Sequence, residues 1–298
     1  MTEAASTLVS TDWLEDRLGH PGVVVVDMRW REDGSGRAVF EDEHIPGAVF
    51  LDWTTDIVDP DHEVAFMLAP PVRFAEAMER VGIGDQDVVV AYADRLGSGP
   101  FRLWWACRRY GHDQVRILDG GFDKWRHEGR PLTKDQPRRP RAEWDPHPVD
   151  GAVSVATAHD VRRAERDATR VVLDSRDPAQ FRGEAVWFET GPVLAGADGI
   201  AHTPRGDVRA GHVPWALNVP YFELYRADGT MRSPEELREL FAGVGVTQAS
   251  RCVTYCGVAI SASALVFALV LAGVEDVKLY DGSWEEWGRD PSRPVARG

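Results

Sequence analysis

Three cysteines in 298 residues, Cys107, Cys252 and Cys256, are too few and odd in number for a disulfide framework. Cys252 and Cys256 stand four apart on a segment that reads as a strand, roughly 13 Å at strand rise and too far to bridge. A reducing, cytoplasmic setting is the expectation. Basic charge is also scarce, since 34 Lys and Arg face 48 Asp and Glu for a net charge of −14. That argues against nucleic acid as a partner, because phosphate binding needs a basic surface. An anionic substrate must therefore be met by a local group of arginines against the overall field. The nine histidines and three cysteines show no zinc spacing, so no metal is expected. Gly97-Ser98-Gly99 lacks the Gly-Lys-Ser/Thr that completes a phosphate loop, and no cofactor is expected. The N-terminal Met1-Thr2-Glu3-Ala4-Ala5 lacks the basic and apolar stretches of a signal peptide. Residues 252–274 carry no charge and are long enough to span a bilayer. Gly257 and the polar Thr254, Tyr255, Ser261 and Ser263 interrupt that run. A buried strand followed by a buried helix explains it, and no membrane association is expected.

What the chain does contain is repetition. A composition of 43% hydrophobic and 28% charged residues is that of a globular protein, and the length suggests two domains. Val23-Val24-Val25-Val26-Asp27 is echoed by Val171-Val172-Leu173-Asp174, and His44-Ile45-Pro46-Gly47-Ala48 by His212-Val213-Pro214-Trp215-Ala216. Val115–Trp125, with Asp119-Gly120-Gly121 at its centre, is echoed by Val277–Trp287 with Asp281-Gly282-Ser283. Three ordered echoes at similar spacing mark a tandem duplication. Within each copy, short Val/Ile-rich runs alternate with longer helical patterns. An α/β fold follows, with a mostly parallel sheet covered by helices on both faces of each domain. Thr133–Pro148 is rich in proline and holds Arg138, Arg139 and Arg141, the composition of a stiff, solvated linker. The domains are accordingly 1–150, including that linker, and 151–298.

Cys256 is the residue with most chemical promise. It ends an apolar run and precedes a helical stretch, so it is read at a strand–loop–helix junction. There the unpaired amides and the positive dipole end of a helix favour its thiolate. Phosphatase chemistry of the Cys-x5-Arg type is disfavoured, because the sixth residue after Cys256 is Ala262.

The repeated blocks resemble the rhodanese family, specifically its two-domain sulfurtransferases of the thiosulfate and 3-mercaptopyruvate type. Phe40–Ala48 is similar to the family's N-terminal signature and Tyr280–Trp287 to its C-terminal one. The resemblance spans almost the whole chain. It implies two rhodanese-like domains, a catalytic second one and a silent first one, with a site at their interface. Cys256 falls on the family's catalytic cysteine. It would take a sulfane sulfur from a small anionic donor, thiosulfate or 3-mercaptopyruvate, as a persulfide, and pass it to a thiol, cyanide or protein acceptor. Gly257, Val258, Ala259, Ile260, Ser261 and Ala262 would form the anion cradle, a nest of amides that needs no metal. Arg176 and Arg205 are the arginines expected at the donor, with Arg182 and Arg209 as weaker candidates. His44 corresponds to a histidine assigned a proton-relay role in the mercaptopyruvate enzymes; fixing the His-x-Pro corner is the alternative. Carrying the Asp119–Asp281 spacing back from Cys256 places Asp94 opposite it.

The sequence departs from the family pattern at three points. Gln180 stands where an arginine is usual, with Arg182 two residues on. Gly257-Val258 supplies no charge after the cysteine, unlike thiosulfate-preferring members. Val258 and Ser261 replace the serine and the threonine of the mercaptopyruvate pattern Cys-Gly-Ser-Gly-Val-Thr. The second copy also holds an insertion, Glu184 to Asp207, expected to border the cleft and gate it. The tryptophan pairs Trp104-Trp105 and Trp284/Trp287 read as core. A persulfide carrier loaded by a partner protein is the competing functional reading.

Overall fold

The computed structural model describes residues 7–94, 96–149, 153–188 and 191–298. The chain forms two compact units, one drawn from 1–60, 68–150 and 225–232, the other from 61–67, 151–224 and 233–298. The main break lies at 150/151, but the expected 1–150 and 151–298 domains each give up a short segment to the other unit. The reason is local contact. Phe66 sets its ring edge-on to Trp187, centroids 6.0 Å apart, and Met231 N–H donates to Asp119 Oδ1 at 2.8 Å.

The first unit contains β1 (Leu8–Val9), α1 (Thr11–Glu15), β2 (Val23–Asp27), α2 (Gly36–Asp42) and β3 (Val49–Phe50). It continues with α3 (Pro71–Arg80), β4 (Val88–Tyr92), α4 (Gly99–Arg109), β5 (Val115–Leu118) and α5 (Gly121–His127). Its sheet has the order β1-β5-β4-β2-β3, and every pairing is parallel. The valine runs of β2 and β4 suit these central strands, because β-branched side chains fill both covered faces. Ser10 caps α1 by accepting from Trp13 N–H at 3.1 Å, and Pro71 starts α3, where no amide partner is needed.

The second unit contains β6 (Val153–Ala156), α6 (Ala158–Ala164), β7 (Arg170–Asp174), α7 (Pro178–Arg182), β8 (Ala185–Phe188) and β9 (Gly191–Leu194). After these come β10 (Ile200–Thr203), β11 (Gly206–Arg209), β12 (Ala216–Asn218), α8 (Pro234–Gly243), β13 (Arg251–Tyr255), α9 (Ile260–Leu271), β14 (Asp276–Tyr280) and α10 (Ser283–Trp287). The sheet order β6-β14-β13-β7-β12 repeats the first unit strand for strand, again all parallel. Thr157 and Ser233 open α6 and α8 with reciprocal capping boxes to Asp160 and Glu236.

Two expectations change with this architecture. The residues read as a solvated linker lie along the first unit: Trp144 is buried against Phe74, Arg139 Nε donates to Gly82 O at 3.0 Å, and Arg141 pairs with Glu79. Proline-rich composition stiffened the segment without freeing it. The 184–207 insertion is two antiparallel hairpins, β8–β9 and β10–β11. Val186, Ala201 and Val208 join Trp284 and Trp287 in the second unit's core, so the hairpins extend that core. Trp104, Trp105, Trp284 and Trp287 are all buried. The uncharged 252–274 run is β13 followed by α9, a helix apolar all round with nine of its twelve residues buried. Among the described residues no helix is long and apolar enough to cross a membrane.

Candidate active site

β13 is a central strand, and its last residue, Tyr255, is in register with Asp174 of β7. Cys256 follows at the C-terminal edge of the sheet, where parallel α/β folds gather their binding groups. It is 3% exposed. Gly257 to Ala259 form the loop, and Ala259 turns the chain into α9 through a left-handed conformation (φ 63°). Among the described residues, none of the amides of Gly257 to Ala262 donates to an oxygen outside α9. An unpaired first-turn amide is a donor awaiting an acceptor. Ser261 is tied instead through its hydroxyl, 2.9 Å from that of the buried Ser175.

The loop is clamped from below by the start of α10. Cys256 N–H donates to Ser283 Oγ at 3.2 Å, Trp284 N–H donates to Cys256 O at 2.9 Å, and Glu285 N–H donates to Gly257 O at 3.0 Å. The C-terminal signature is therefore the support of the cysteine loop. From the other side, Trp187 of β8 lies on Gly257, whose Cβ, were there one, would sit 3.6 Å from the Trp187 Cβ. The insertion thus does reach the loop, through one indole backed by Phe66. The remaining thiols are poorly placed to react: burial, with a smaller effect from Asp276, pushes Cys252 up to about 12, and burial pushes Cys107 higher still.

Arg176 is not where a donor contact would be. It is 3% exposed, its Nε lies 3.0 Å from both oxygens of Asp174, and its Nη2 donates to Asp174 Oδ2 at 2.6 Å and Gly211 O at 2.7 Å. The guanidinium also covers the Trp284 ring at 4.4 Å. The first unit builds the same frame without any thiol: Arg29 grips Asp27, Tyr92 O–H donates to Asp27 Oδ2 at 2.6 Å, and Ile45 N–H donates to Tyr92 Oη at 3.3 Å. Its counterpart is Val213 N–H on Tyr255 Oη at 3.2 Å. A device present in both copies, with and without cysteine, holds the fold. Burial, then the Asp174 charge, raise the Tyr255 hydroxyl well above its ordinary value.

The other arginines are also engaged. Arg182 is exposed and paired with Glu184 at 2.6 Å, its neighbour two residues along. Arg209 donates to the carbonyls of Trp287, Gly288, Asp290 and Arg293 and so closes the end of α10. Arg205 sits exposed at the tip of the β10–β11 hairpin. His44 is fully buried and stacked on Phe40, with Nδ1 2.7 Å from Phe40 O and Nε2 3.1 Å from Asp135 O. His212 repeats the stack on Phe181 and the Nδ1 contact with its carbonyl. Both rings fix the His-x-Pro corner, and His44 has no nitrogen left to relay a proton.

The residue opposite Cys256 is Ala93, not Asp94. Tyr92 pairs with Asp27 as Tyr255 does with Asp174, and Phe122 N–H donates to Ala93 O as Trp284 N–H does to Cys256 O. The spacing failed by one because the first unit's loop, from Ala93 to the start of α4 at Gly99, is two residues longer than that from Cys256 to Ile260, while α4 is one residue shorter than α9. A small cleft opens at this station, walled by Asp94, Phe101, Asp119 and Tyr225. Volume alone therefore does not mark the reactive station. Ser283 and Phe66 went unread in the sequence. Ser283 had one signal, a serine where the echo has Gly121.

Comparison with known proteins agrees with this geometry. The profile of the rhodanese-like domain matches residues 10–128 and 157–290. The sulfur carrier protein TtuD of Thermus thermophilus is 35% identical over 299 residues, covering 98% of this chain and 96% of the relative. A putative thiosulfate sulfurtransferase of Mycobacterium tuberculosis is 34% identical, covering 98% of each. The 3-mercaptopyruvate sulfurtransferase of Escherichia coli is 32% identical, covering 96% of each. A crystal structure of an Escherichia coli 3-mercaptopyruvate sulfotransferase superposes with a TM-score of 0.78 at 30% identity, over 93% of this chain and 98% of that one. The duplicated α/β units, the paired signatures and these full-length likenesses agree: the chain belongs to the rhodanese family, as a tandem-domain sulfurtransferase.

Proposed function

We propose that Cys256 is the nucleophile of a two-step sulfur transfer. Its thiolate attacks the sulfane sulfur of thiosulfate, breaking the sulfur–sulfur bond and releasing sulfite, or the thiol sulfur of 3-mercaptopyruvate, breaking the carbon–sulfur bond and releasing pyruvate as the thiol proton passes to its methylene carbon. The Cys256 persulfide then yields its outer sulfur to a thiol or cyanide acceptor and returns as thiolate. Two half-reactions through a covalent intermediate give ping-pong kinetics. The observation that carries this reading is the loop itself: Cys256 is followed by six amides, Gly257 to Ala262, with no acceptor outside α9 among the described residues. Such a row suits a sulfur anion. Ala93 at the same station has no thiol to offer, which makes the second unit the reactive one.

A second reading has its own support. Arg176, Arg182 and Arg209 are spent on Asp174, Glu184 and the end of α10, and one full-length relative is a sulfur carrier. On that reading a partner protein loads Cys256, and turnover of free donor is slow. Intact mass after incubation with thiosulfate or, separately, 3-mercaptopyruvate decides between them. A gain of about 32 Da, one sulfur atom, in the wild type and not in Cys256→Ser is the expected result; the faster donor identifies the substrate class. Full sulfur transfer by Cys256→Ser would refute the mechanism, and a folded, reduced protein that gains no sulfur from either donor would favour the carrier.

A further inference from the structure

Two non-glycine residues beside Cys256 hold left-handed backbone, Ala259 (φ 63°) and Ser283 (φ 49°). A residue with a Cβ adopts that conformation at a cost, and such outliers persist where the surroundings enforce them. In the first unit the place of Ser283 belongs to Gly121 (φ 57°), the residue the conformation favours. There a Cβ would lie 2.3 Å from Ala93 O, so the thiol-free loop rests directly on glycine backbone. Only in the unit with the cysteine does the loop stand off far enough to admit a side chain. That side chain is fully buried, and its hydroxyl donates to Tyr280 O at 2.9 Å while accepting from Cys256 N–H at 3.2 Å.

We propose that Ser283 is the positioning residue of Cys256. Its Oγ holds the peptide plane before the cysteine, and Trp284 N–H holds the plane after it through Cys256 O. Together they hold the backbone on both sides of the Cys256 Cα and so fix the direction in which its Cα–Cβ bond leaves the chain. The inference rests on Cys256 being the reactive thiol and adds what keeps it so. Ser283→Gly copies the first unit and removes both the hydroxyl and the strain; Ser283→Ala removes the hydroxyl alone.

The test is alkylation of Cys256 by iodoacetamide across pH, followed by peptide mapping, which needs no sulfur donor. Both variants should react about tenfold more slowly than wild type at pH 7, because nothing then holds the peptide plane before the cysteine. Ser283→Gly should melt no lower than wild type, separating reactivity from folding; if it fails to fold, Ser283→Ala carries the test. Wild-type rates and pH dependence in both variants would overturn the positioning role while leaving Cys256 as nucleophile. A wild-type Cys256 no more reactive than Cys252 would overturn both readings.

Discussion

Replacing Arg176 by methionine should unfold the second unit long before it alters donor affinity. The guanidinium and the Asp174 carboxylate are 2% and 0% exposed, and their closest contact is 2.6 Å. Methionine preserves the bulk over Trp284 but leaves Asp174 buried without its cation. Breaking one partner of a buried pair costs about 3–5 kcal/mol. For a unit of about 150 residues each kcal/mol lowers the melting temperature by about 2–4 °C, so a fall of roughly 6–20 °C is expected. Arg29→Met should do the same to the first unit, where Asp27 and Arg29 are equally buried. Arg176→Lys should fall between, since a point charge cannot grip both oxygens. The assay is calorimetry on all three variants, with KM for thiosulfate and 3-mercaptopyruvate measured below the first transition. A melting temperature within about 3 °C of wild type together with a tenfold higher KM would refute the reasoning and return Arg176 to the donor.

Trp187→Ala should uncover the loop at Gly257, so that a bulky maleimide labels Cys256 faster than in wild type; an unchanged rate would show that the indole is not a barrier. Gly211→Ala should cost about 3 kcal/mol or more, because its Cβ would fall 2.2 Å from Ala296 O at φ 131°; Gly19→Ala, strained but in open space, should cost less in the same denaturant titration. Burial raises the Glu128 carboxyl, but hydrogen bonds from Lys124, Thr11 and Arg130 outweigh it and hold the group at about 2. Its stabilisation is present above the ordinary 4.5 and is lost as pH falls towards 2, so melting temperature should drop more steeply over that range in wild type than in Glu128→Gln.

The duplication, the strand order and the station of Cys256 were legible because each rests on a local pattern: valine runs, His-x-Pro corners, Asp-Gly turns. The arginines were not. Arg176 and Arg205 look alike in sequence, and what separates them is the partner each meets through space, Asp174 in one case and a hairpin tip in the other. His44 carries titratable chemistry on paper, yet carbonyls from Phe40 and from Asp135, far along the chain, occupy both its nitrogens. Asp94 was aligned with Cys256 because a constant spacing cannot register a net gain of one residue, two added in the loop and one lost from the helix. Strand register, a property of paired backbones, moved the match to Ala93.

The exchange of short segments between the units has a consequence for synthesis. The first unit includes 225–232, and Asp119 waits for the amide of Met231. A ribosome adding about 5–20 residues per second needs several seconds to travel from the end of the linker to that segment. Throughout that interval the nascent first unit lacks the strip that finishes it. A message cut at residue 150 would therefore encode one unit that is missing a piece.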